Sequence, residues 1–133
     1  MSYPPDRFDA AVDTIVARDP RYAPHAYYFL RDALNFTVEN LKEQEGQTRH
    51  VDGKELLFGF RDLALKEFGP MASTLLSEWG VSRCSDLGEM VFNLIDERIF
   101  GRQENDSRED FSELFSFHDS FVKPFLPKAA QAN

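Results

Sequence analysis

The chain has 133 residues, of which 42% are hydrophobic and 29% charged, with a formal net charge of −8. A chain of this length buries one core without metal or disulfide staples, and its lone cysteine, Cys84, excludes an internal disulfide framework and a multi-cysteine metal site. Met1 to Asp6 is polar and no apolar run approaches the roughly 20 residues of a membrane span, so a cytoplasmic protein without signal peptide or membrane segment is expected.

From Asp6 to Arg18, Phe8, Ala11, Val12, Ile15 and Val16 recur at helical spacing, and Asp19-Pro20 stops the run. A second helix starts at Pro24, a residue suited to the first helical turn, and carries Phe29, Leu30, Ala33, Leu34, Thr37, Val38 and Leu41 to about Gln44. Gly46 ends it, and residues 46–51 form the main connection.

Asp52 and Glu55 have the spacing of a capping box, which opens a third helix with Leu56, Leu57, Phe60, Leu63, Ala64 and Phe68 inward. Pro70 begins a short fourth helix ending at Trp79-Gly80. Ser85 begins a fifth, striped by Leu87, Met90, Val91, Leu94 and Ile95. Apolar residues around 99–101 and 110–115, separated by the polar run from Gln103 to Glu109, predict two short strands and a turn. Ser116 and Asp119 cap a last short helix, Phe117 to Val122, stopped by Pro124. Residues 128–133 are expected to be disordered.

This order predicts a mainly α single domain. A helical hairpin (about 6–44) packs against a winged helix-turn-helix-like unit with a small β-hairpin (53–115), and a Phe-rich segment (116–127) closes the core. Charge argues against the function that shape suggests. Residues 86–119 hold 10 acidic side chains against Arg98, Arg102 and Arg108. The recognition helix would present Asp86, Glu89, Asn93, Asp96 and Glu97, and its four carboxylates repel phosphates. Nucleic-acid binding is therefore an alternative that would need another face, with Arg49, Lys54, Arg61 and Arg83.

Thirteen phenylalanines are the second oddity. Five of them, Phe111, Phe115, Phe117, Phe121 and Phe125, fall within 15 residues, a density that calls for burial on the chain's own core or on a partner. A homodimer could bury that stretch by exchange. Phe36, Phe58 and Phe92 lie off the main apolar stripes of their helices, so they either pack on neighbours or form an exposed patch rimmed by carboxylates.

Catalytic signals are sparse. His50-Val51-Asp52 reads better as a helix cap than as a catalytic or metal pair, and His25 and His118 read as surface residues. Cys84 stands before a helix N-terminus beside Arg83, a position that lowers thiol pKa, yet no histidine is near it in sequence. Neither cofactor nor metal is expected, and a small enzyme built on His50 or Cys84 is the third alternative.

Several runs are distinctive together: Ala17 to Pro24, His50 to Leu57, Phe68 to Ala72, Trp79-Gly80-Val81, Leu87 to Leu94 and Asp106 to Phe111. In these the chain resembles a small uncharacterised family named as restricted to Verrucomicrobia and Planctomycetes. The resemblance implies a bacterial protein and brings no activity, cofactor or site. The sequence thus favours a non-enzymatic protein–protein interaction or regulatory module with an acidic, aromatic-containing face: Asp86, Glu89, Phe92, Asn93, Asp96, Glu97 and Phe58. Its expected partner is a basic protein.

Overall fold

The computed structural model describes residues 5–101 and 108–127. Six helices follow in order: α1 (Pro5–Arg18), α2 (Pro24–Glu45), α3 (Gly53–Phe68), α4 (Ala72–Glu78), α5 (Cys84–Asp96) and α6 (Phe117–Phe121). Single 3₁₀ turns occupy Gly69–Met71, Arg108–Phe111 and Lys123–Phe125. The mainly helical class expected from periodicity is what the chain adopts.

The helix ends follow local chemistry. Asp52 accepts from the Glu55 backbone N–H at 2.8 Å, and the Glu55 carboxylate accepts from the Asp52 N–H at 3.1 Å, the reciprocal capping box. Arg49 bridges Glu55 (2.6 Å) to Glu45 (2.8 Å), tying the last turn of α2 to the first of α3. Ser116 caps α6 through the Asp119 N–H.

α4 and α5 end alike. In α4, Val81 N–H reaches Leu76 O and Gly80 N–H reaches Ser77 O; in α5, Ile99 N–H reaches Leu94 O and Arg98 N–H reaches Ile95 O. Both are Schellman terminations, with a left-handed residue that turns the chain back. Gly80 (φ 86°) fills that position in α4, and a Cβ there would lie 2.3 Å from the Arg21 carbonyl oxygen. Arg98 (φ 59°) fills it in α5 without glycine's freedom.

The Arg98 turn helps explain why residues 99–101 form no strand. No strand occurs among the described residues, so the winged-helix expectation is corrected; residues 102–107, which include most of its expected turn from Gln103 to Glu109, lie outside them. Ile99 and Phe100 are consecutive yet both buried, and their N–H groups both bond to Leu94 O. An extended strand would point one of them outward. On the other side, residues 108–111 coil into a 3₁₀ turn that plants Phe111 against α3 and α5. The region expected to be disordered, 128–133, is also outside the described residues.

One apolar cluster joins all six helices and the Phe111 turn. α1 contributes Phe8, Val12 and Ile15 and packs on α2 and α5, while α2 packs along α3 and α4 meets α3 and α6. α2 and α3 approach closely because Gly59 has no side chain: a Cβ there would come within 1.8 Å of Thr37 Oγ1. Phe111 seats on two further glycines, Gly53 and Gly88, where an added Cβ would approach it to 2.8 and 2.6 Å. The Phe-rich segment docks on its own chain through Phe111 and Phe121, which are buried, while Phe115 and Phe117 are half-buried and Phe125 stays exposed.

Candidate functional site

The acidic residues of α5 are largely engaged by the fold. Asp86, in the helix's first turn, accepts from the Ser82 N–H (2.9 Å), the Arg83 N–H (3.2 Å) and the Tyr22 hydroxyl (2.7 Å). It serves as the N-terminal cap that Arg83 cannot provide. Burial beside Asp86 pushes the Tyr22 phenol well above its usual range. Glu89 takes Arg108 at 2.6 Å and Arg21 at 3.4 Å.

Asn93 is buried, and its amide donates to Asp19 (3.0 Å) and the Tyr27 hydroxyl (3.1 Å) while its oxygen accepts from Arg18 (3.3 Å). The Arg21 guanidinium grips Asp19 through two 2.8 Å bonds and holds that carboxyl far below the usual carboxylate range. Phe92 is buried against Phe111, with Arg108 over its ring at 4.8 Å. Of the α5 residues singled out from sequence, Asp96 is exposed and Glu97 half-buried at the helix's end. The face predicted for a partner is thus mostly a brace between α5 and the α1–α2 junction.

Phe58 is 39% exposed. It forms a small surface stack with Phe115 (6.0 Å between centroids), and Arg61 lies over both rings at 4.9 and 5.4 Å while pairing with Asp62. Arg49 and Arg61, which a nucleic-acid face would need, therefore already have carboxylate partners. Asp52 is the α3 cap, and His50 is exposed. Cys84 is buried and its thiol points at the Phe115 carbonyl (3.4 Å); burial pushes its pKa up, so the expected helix-end activation is outweighed. Among the described residues no group of three or more His, Cys, Asp or Glu is arranged to hold a metal ion.

A different surface combines open space with aromatic and acidic chemistry. Between α2 and α3 runs a groove of about 600 Å³, floored by Phe29, Phe36, Leu63 and Phe68 and edged by Asp32, Asn35, Glu39, Lys66 and Glu67. Its origin is periodicity. Positions 32, 35, 36 and 39 share one face of α2, and 63, 66 and 67 share one face of α3. The contact between Gly59 and Thr37 draws the two helices together, leaving larger side chains to frame the trough.

Phe29 anchors the floor, with its ring 5.0 Å from Phe68, 5.1 Å from Phe60 and 5.7 Å from Trp79. Phe36 and Phe68 are only half-buried. The Lys66 ammonium lies over the Phe36 ring at 5.6 Å. Asp32, Glu39 and Glu67 are exposed; Asp32 pairs with Arg31 at 3.7 Å, and Glu39 and Glu67 stand along the rim with the Lys66 ammonium. Sequence reading flagged Phe36 as off-stripe but did not join it to Phe68, because the groove exists only once the two helices pack.

Comparison with protein-family models, curated proteins and solved structures returns no match, so the resemblance noted above rests on its motifs alone. No helix among the described residues is long and apolar enough to cross a membrane. Fold and surface together define a mainly helical protein with a braced acidic side and an open, acid-edged aromatic groove.

Proposed function

We propose that this chain is a non-enzymatic protein–protein interaction or regulatory module whose acidic, aromatic-containing surface receives a partner. The observation that carries this reading is the α2–α3 groove, where half-buried Phe36 and Phe68 stand open beside exposed carboxylates. Binding surfaces characteristically join an aromatic centre to a polar rim. Exposed Asp96, with half-buried Glu97 beside it, forms a second acidic position, separate from the groove, and serves as its control.

A photo-cross-linking side chain placed at Asn35 tests the reading in cells of the source organism. The expected result is a discrete cross-linked partner from position 35 that disappears when Phe36→Ser is added. The same probe at Asp96 should give none. Equal background from both positions would remove the groove as a partner site.

A further inference from the structure

We propose that the partner enters the α2–α3 groove as a cationic peptide segment. A bulky apolar side chain of that segment rests on Phe29, Phe36 and Phe68, and flanking lysines or arginines face the carboxylates of the rim. This inference rests on the interaction-module reading above and adds the chemistry of what binds.

Three observations select that occupant. The floor is aromatic, and burying an apolar side chain on it removes area from water on both partners. The rim is charge-complementary to a base-rich segment, with Glu39 and Glu67 set against Lys66, and Asp32 beside them paired to Arg31 at 3.7 Å. Finally, the groove already holds a cation in the expected place: the Lys66 ammonium over the Phe36 face occupies the geometry an incoming lysine or arginine would use. The formal net charge of −8 attracts such a segment over distance, and it disfavours a second copy of this chain as the occupant.

Lys66 gives the proposal a signed consequence. It competes for Phe36 and offsets one rim carboxylate, so removing its charge should strengthen binding. A surface that merely accepted apolar groups would respond in neither direction.

The probe is a fluorescein-labelled Lys-Lys-Phe-Leu-Lys-Lys peptide, titrated with the full chain and read by anisotropy at low and physiological salt. Glu39→Lys with Glu67→Lys should weaken binding about tenfold, whereas Asp96→Lys with Glu97→Lys, an identical change in net charge, should weaken it less than about twofold. Lys66→Gln should tighten it about threefold, and Phe36→Ala should weaken it about fivefold. A Lys-Lys-Ser-Ser-Lys-Lys peptide should bind about tenfold more weakly than the apolar one.

Equal weakening by the two charge reversals, or equal binding of the serine peptide, would mean diffuse attraction and overturn the proposal. Absence of binding by the Phe-Leu peptide would overturn it too. If a Phe36-dependent cross-link at position 35 survives that result, the groove remains a partner site and only the cationic chemistry is lost. If the cross-link also fails, the interaction reading falls with it. Circular dichroism of each variant separates lost binding from lost fold.

Discussion

The α5 side and the α2–α3 groove are built from similar residues, carboxylates beside phenylalanines, and the fold uses them in opposite ways. On α5, Asp86 caps its own helix, Glu89 pairs with two arginines, Asn93 is buried and Phe92 is covered by Phe111. Across the groove, Glu39 and Glu67 are exposed and Phe36 and Phe68 are only half-covered. Acidic and aromatic composition is therefore a poor guide to a binding face. What matters is whether neighbouring segments supply arginines, N–H donors and apolar cover.

That contrast can be broken most severely at Phe111. Phe111→Ala should cost about 3–5 kcal/mol in urea unfolding, because it empties the seat formed by Gly53, Gly88 and Phe92. A cost below about 1 kcal/mol would mean that the 108–111 turn does not close the α5 side. Asn93→Leu comes next, at about 2–3 kcal/mol, since it strands the buried Tyr27 hydroxyl and removes a partner from both Asp19 and Arg18.

Gly59→Ala should cost about 1–3 kcal/mol by forcing α2 and α3 apart, and adding Thr37→Ala should recover much of the loss. Simple additivity of the two changes would refute the close approach that shapes the groove. Both tests compare unfolding midpoints at constant denaturant slope.

Acid unfolding sharpens the contrast further. Arg21 depresses the folded-state pKa of Asp19, so the stabilising effect is complete above the unfolded carboxylate value of about 4 and is lost as pH falls below it toward the lower folded value. Asp19→Asn should flatten the fall in stability between about pH 4 and pH 2, and an unchanged slope would remove the Arg21 pairing as its source. Smallest of all, Glu39→Gln with Glu67→Gln should move stability by no more than about 0.5 kcal/mol, as expected of exposed side chains. A larger loss would make the groove rim part of the scaffold.

Much of this arrangement was readable before any coordinates. The Asp52–Glu55 spacing marked the start of α3, Pro24 and Gly46 bracketed α2, and Gly80 marked the α4 turn, because each acts through bonds within a few residues. The hairpin was misread for a physical reason. Apolar residues around 99–101 and 110–115, set apart by a polar run, resembled two strands and a turn, but the left-handed Arg98 and the glycine seats for Phe111 made coil and 3₁₀ turn the better burial. The engagement of Asp86, Glu89 and Asn93 was not legible locally, because Tyr22, Arg21 and Asp19, with which they bond, are more than 60 residues away.

By itself, then, the sequence determined the helices, most of their ends and the acidic, phenylalanine-rich character of the chain, all properties set by local hydrogen bonding and periodicity. Tertiary packing alone decided which carboxylates became braces and which stayed open, and where half-covered aromatics met to form a groove. Those outcomes depend on the close approach of distant segments, at Gly59 against Thr37 and Phe111 against Gly53 and Gly88, and burial and pairing are properties of that approach.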